Sequence, residues 1–88
     1  MGNYRPVDTK VWVAFLLANG CRYIRTKASH DHYKCPGCFR TITHRENEKQ
    51  IPPMHLMTNL KTMGKSLKDL YDWIEKQNKK TGKSSNPK

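Results

Sequence analysis

Acidic residues are scarce in this chain. Seven Asp and Glu stand against 17 Lys and Arg, a formal net charge of +10 over 88 residues. The few carboxylates form no cluster of the kind that holds magnesium, which argues against metal-dependent nucleases and nucleotide hydrolases. The phosphate-cradling glycine loop, the serine-hydrolase elbow and the dinucleotide fingerprint are missing too. Long hydrophobic runs are equally absent. The most apolar stretch, residues 11–18, is too short and too polar-flanked to span or anchor in a bilayer, and no signal peptide is visible. We therefore expect no membrane partner. Apolar residues make up 35% of the chain, below the usual share of about 45–50%, so the core is expected to be modest. Cysteines number three. An odd count without an export signal points to a reducing cytoplasm rather than a disulfide scaffold.

What is abundant is positive charge. Arg5, Arg22, Arg25, Lys27, Lys34, Arg40 and Arg45 are distributed along the first half, and further lysines close the chain. For so small a protein this implies a polyanionic partner, a nucleic acid or an acidic protein, against the plainer reading of a solvated surface with a basic tail.

Residues 1–7 show no periodicity and predict a flexible arm. Asp8 is a good N-cap, and Val11, Trp12, Phe15 and Leu16 recur at helical spacing before Asn19-Gly20, which predicts a helix over 9–18. Three strands follow, at about 21–26, 30–35 and 39–44, joined by Lys27-Ala28-Ser29 and Pro36-Gly37-Cys38. Short connections make consecutive strands antiparallel neighbours. Residues 45–50 read as a solvated loop. A second helix can begin at Pro53, carry Leu56, Leu60 and Met63, and end at Gly64; a third starts at Ser66 with Leu67, Leu70, Tyr71 and Ile74. Residues 8–77 thus form one domain, and 78–88 a disordered basic tail. The expected order is α-β-β-β-α-α, an α+β arrangement with helices on one face of a three-stranded antiparallel sheet.

The segment Lys27-Ala28-Ser29-His30-Asp31-His32 joins cations, a small-residue turn and two histidines. Histidine exchanges a proton near neutral pH, and a neighbouring Lys/Arg cluster can hold a phosphodiester while the imidazole moves that proton. His30 is therefore the leading candidate for RNA cleavage. If the second turn centres on Gly37, His44 lies opposite His30 and Ile42 opposite His32, which makes His44, His32 or a lysine the complementary group. The alternative is that these histidines are ordinary polar residues on a wet strand.

Cys35-Pro36-Gly37-Cys38 is half of a tetrahedral zinc site. With the first turn centred on Ala28, Cys21 falls opposite Cys35, so Cys21, Cys35 and Cys38 could share a metal. His30 and His44 lie about 15 Å away at strand rise, which leaves His32 or His55 as fourth ligand. A redox-active pair and plain buried thiols are the competing readings.

The sequence also resembles the HicA family of small toxins, the mRNA interferases of HicA–HicB toxin–antitoxin modules, over about residues 10–75. The resemblance rests on Ala18-Asn19-Gly20-Cys21 after an apolar helix and on Lys27-Ala28-Ser29-His30, like the family's Lys-Gly-Ser-His motif. Glu48-Lys49-Gln50-Ile51-Pro52-Pro53, Leu56-x3-Leu60-x3-Gly64 and residues 66–74 follow in the family's order. It implies a double-stranded-RNA-binding-domain-like fold and a metal-independent endoribonuclease without cofactor, acting on mRNA and covered by a HicB-like antitoxin. The family's catalytic histidine maps onto His30, and Ser29 keeps its motif identity. From the residues themselves, His32 and His44 are the supporting groups, and Arg22, Arg25, Lys27, Lys34 and Arg40 the candidate RNA contacts. Ala28 replaces the motif glycine. A non-catalytic RNA-binding module and a small zinc-knuckle adaptor are the alternative readings.

Overall fold

The first helix ends on a backbone device that also sets the start of the sheet. In the computed structural model, which describes residues 4–83 and side chains as far as Gln77, α1 runs Thr9–Ala18. The Cys21 amide donates back to the Leu16 carbonyl at 3.0 Å, and that of Gly20 to Leu17 at 3.0 Å. This closure needs a left-handed residue, and Gly20 supplies it at φ +83°. A Cβ there would also lie 3.2 Å from Pro36 Cγ. Cys21 is thereby delivered to the edge of the sheet.

Three strands then form an antiparallel sheet in sequence order, β2 (Arg22–Lys27), β3 (His30–Lys34) and β4 (Ile42–Arg45). A small separate ladder pairs β1 (Val7–Asp8) with β5 (Gln50–Ile51). Helix α2 covers Pro53–Thr62 and α3 Leu67–Lys83. The protein is a small α+β domain.

One face of the sheet joins the helices in a single core. Tyr33, Ile42 and His44 point inward with Val7, Ile51 and the helical residues Trp12, Phe15, Leu16, Leu56, Leu60, Leu67 and Leu70. Each fully buried apolar side chain contributes about 1.5–3 kcal/mol, and these supply most of the driving force. Phe15 stacks on Trp12 and meets the edge of Trp73, with centroids 5.8 and 5.4 Å apart. Trp73 is thus a core neighbour on α3.

Several expectations need correction. Residues 4–7 are not a free arm. Val7 is buried in the β1–β5 ladder, the Arg5 amide and carbonyl both bond the Tyr71 hydroxyl, and the guanidinium sits 4.1 Å from the Tyr71 ring centroid. Residues 1–3 lie outside the described residues. Asp8 makes no side-chain cap; its carboxylate accepts from Gln50, while Thr9 bonds the Glu48 carbonyl. The 45–50 loop is therefore tied to the start of α1. Strand β4 starts only at Ile42 because residues 39–40 bend away. Helix α3 continues through 78–83, part of the segment expected to be disordered. Its Asn, Lys and Thr residues are no helix breakers, and Gly82 costs only about 1 kcal/mol. Residues 84–88 lie outside the described residues.

Ser66, where the last helix was expected to start, forms a reciprocal cap with Asp69. The Asp69 amide donates to Ser66 Oγ at 3.3 Å, and the Ser66 amide to Asp69 Oδ2 at 2.9 Å.

Candidate functional site

His30 is the first residue of β3, set there by a two-residue turn. Ala28 and Ser29 both take left-handed angles, φ 53° and 64°, the conformation whose twist matches two right-twisted strands. The Ser29 carbonyl accepts the Glu46 amide at 2.8 Å, so the β2–β3 turn is bonded to the turn after β4. Between these tips lies a cleft of about 410 Å³ lined by Ser29, His30, Arg45, Asn47 and their neighbours. His30 is partly exposed at this cleft, and its Nδ1 is 3.0 Å from the Ala28 carbonyl. A carbonyl only accepts, so Nδ1 carries the proton. In the neutral form of the ring the lone pair is then on Nε2, the nitrogen that can serve as a base.

The register supplies the cations. Across the sheet His30 pairs with Lys27 on β2 and with Arg45 on β4. The next row on this face is Arg25, His32 and Thr43, and beyond it Arg22 pairs with Lys34. A bulge at Ile24 shifts the β2 pairing between Tyr23 and Arg25. That extra residue keeps Arg22, Arg25 and Lys27 on one face. His30 and His32 are joined there by Lys27, Arg25 and Arg45. Lys34 is on the same face, with its ammonium donating to the Cys38 carbonyl at 2.6 Å. His32 Nδ1 lies 3.5 Å from Thr41 Oγ1. Arg40 is exposed at the far end, off the strands.

His44 is not opposite His30. The β3–β4 register places it against Asp31, one residue along, and so on the other face. There it is 5% exposed, stacked on Tyr33 and 3.4 Å from the Asp31 carboxylate through Nε2. Thr26 Oγ1 bonds Asp31 at 2.5 Å and the Tyr23 hydroxyl at 2.7 Å, completing a polar string on the inner face. Burial pushes the His44 pKa down, opposed by the charges of Asp31 and Glu48. Burial, then Asp31 and Tyr23, push the Tyr33 pKa up. His44 is a structural residue of the core, and Arg45 takes its place beside His30. The one-residue slip hid Arg45, and only the true register could have exposed it.

The zinc reading is also corrected. Cys21 and Cys35 are joined in a disulfide, while Cys38 is a separate thiol whose Sγ lies 3.4 Å from the Thr62 carbonyl. Among the described residues no group of three His, Cys, Asp or Glu is placed to hold a metal ion. The thiols expected to be reduced are thus paired, brought together by the Gly20 closure and by the first turn. No helix among the described residues is long and apolar enough to cross a membrane.

The chain has no match among protein-family models, curated proteins or solved structures.

Proposed function

We propose that the protein is a metal-independent endoribonuclease cleaving mRNA, a HicA-like toxin with a double-stranded-RNA-binding-domain-like fold, restrained by a HicB-like antitoxin. The observation that carries this reading is the row Lys27–His30–Arg45, an imidazole with a cation on each side at the mouth of a cleft.

In that geometry Nε2 of His30 accepts the proton of a ribose 2′-hydroxyl, whose oxygen attacks the adjacent phosphorus. Lys27 and Arg45 neutralise the charge that builds on the phosphoryl oxygens. The bond to the 5′-oxygen breaks, and that oxygen takes a proton from His32, on the same face two residues away. The products are a 2′,3′-cyclic phosphate and a free 5′-hydroxyl, and no metal is required. Arg22, Arg25 and Lys34 extend the positive face along which the strand lies.

The test is cleavage of a single-stranded RNA by purified protein in the presence of chelator, with product ends read by mass spectrometry. Replacing His30 by Ala should lower the rate by a factor of about 10²–10⁴. Undiminished cleavage by that variant overturns the assignment.

A further inference from the structure

Phe39 is fully exposed, 100% of its surface in water, yet the loop that carries it is braced on three sides. Cys35 is bonded to Cys21, Cys38 Sγ contacts the Thr62 carbonyl, and Lys34 Nζ grips the Cys38 carbonyl immediately before Phe39. Thr41, two residues later, meets His32. An aromatic ring is thus held in solvent at the border of the basic sheet face. A firmly supported loop that leaves its largest apolar side chain unburied is prepared to receive a flat partner.

The surroundings identify that partner. Phe39 borders a hollow of about 350 Å³ completed by Arg40, Thr58, Lys61 and Thr62. Its charged groups are both cations, and its two hydroxyls, which donate to the Met54 and Thr58 carbonyls, are left to accept. An aromatic platform between an Arg and a Lys suits a nucleobase with its flanking phosphates. An acidic protein segment would use the same cations but gains less from a bare ring.

We propose that Phe39 is the stacking platform for one unpaired nucleobase of a single-stranded RNA, with Arg40 and Lys61 on the flanking phosphates. The inference rests on the RNA reading above and extends it to a second subsite. His30 and Lys34 are separated by about 13 Å of strand, so the stacked base lies a few nucleotides from the bond that is cut. The strand crosses the sheet face between the two. Selectivity then arises away from the reacting phosphate, from the requirement that this base be free to leave a helix.

The experiment uses the full chain carrying His30→Ala, so that RNA is bound and not cut. Single-stranded oligonucleotides carry 2-aminopurine at successive positions, and binding is followed by its fluorescence across a salt series. One position should be strongly quenched. Adding Phe39→Ala should abolish that quenching and weaken binding about ten-fold, equivalent to about 1.4 kcal/mol, with an unchanged salt slope. Phe39→Trp should restore both. Arg40→Gln should lower the slope of log K against log salt by about 0.7. Salt-dependent binding that Phe39→Ala leaves untouched overturns the platform and spares the RNA reading. Failure of the parent protein to bind RNA overturns both. If Phe39→Ala alters only association with a protein partner or with itself, the surface is a protein contact and the platform is rejected.

Discussion

The Asp31 carboxylate stands 3.4 Å from Nε2 of His44, on the face of the sheet turned away from His30. Burial is the dominant influence on this imidazole and lowers its pKa below 6.5; Asp31 opposes the shift without cancelling it. The unfolded chain therefore binds the His44 proton more readily than the folded one. Its contribution to stability is complete above about pH 6.5 and declines as pH falls through the lowered folded value. Thermal melts at about pH 7.5 and pH 5 should show a lower Tm in acid. His44→Gln should remove most of that dependence, whereas Asp31→Asn, which deletes the opposing charge, should deepen it. A dependence unchanged in His44→Gln would show that the drop has another origin. Asp69, whose exposed carboxyl is lowered chiefly by the Ser66 backbone bond, acts in the separate carboxylate range of pH.

The turn beside His30 holds two non-glycine residues at positive φ. Such a conformation costs an L-residue about 1–2 kcal/mol, and a glycine avoids most of it while losing some entropy on folding. Ala28→Gly should therefore stabilise the protein by about 0.5–1 kcal/mol, a rise in Tm of several degrees for a domain of this size. The Ala28 carbonyl that holds His30 Nδ1 is retained. A fall in the denaturant midpoint would mean that the turn abandons the left-handed pair in solution.

How much of this was legible in the sequence differs by element. Trp12, Phe15, Leu56, Leu60 and Leu70 repeat at helical spacing, so α1 and α2 were readable in place. The Val7–Ile51 pairing was not, because two-residue strands have no periodicity. His30 was visible from its neighbours, but its partner was misplaced. The β3–β4 register is displaced by one residue from a turn centred on Gly37, with Arg45 opposite His30 and His44 opposite Asp31, since residues 35–41 form a long bent connection. That single step exchanges the two faces, replacing His44 by Arg45 beside His30. Cys21 and Cys35 do lie opposite one another, but because the bulge at Ile24 offsets a turn centred between Ala28 and Ser29 rather than on Ala28; spacing alone left zinc, redox and plain thiols open.

The Cys21–Cys35 disulfide closes a loop spanning 14 positions that contains all of the first hairpin. In a chain-entropy treatment, a loop of about 15 residues contributes about 3 kcal/mol by restricting the unfolded state. Reductant should lower the denaturation midpoint, and Cys21→Ser with Cys35→Ser should match the reduced protein. Addition of reductant to that double variant should then change nothing. A midpoint insensitive to reductant in the parent would remove the disulfide from the list of stabilising features. The same variant tests whether the brace beneath Phe39 depends on this bond.

Strand β4 is the outer edge of the sheet, and one side chain seals it. Asn59 on α2 accepts the Thr43 amide at 3.3 Å through Oδ1 and donates Nδ2 to the Thr43 carbonyl at 2.8 Å. With both its backbone groups turned outward, Thr43 faces His32 as a non-hydrogen-bonded pair. By alternation His30 and Arg45 form another such pair, the closer class with Cα atoms about 4.5 Å apart. Asn59 is 8% exposed, so its loss leaves two backbone groups without partners in a partly dry edge. Asn59→Ala should cost about 1–3 kcal/mol, and the Thr43 amide should exchange with deuterium much faster than its neighbours in β3. Because Arg45 is two residues away on the same strand, the RNA affinity of this variant should fall even where it remains folded. Asn59→Leu separates packing from bonding: it refills the volume and leaves the edge unpaired. Protection of the Thr43 amide as strong in Asn59→Leu as in the parent would show that the helix seals this edge by packing alone.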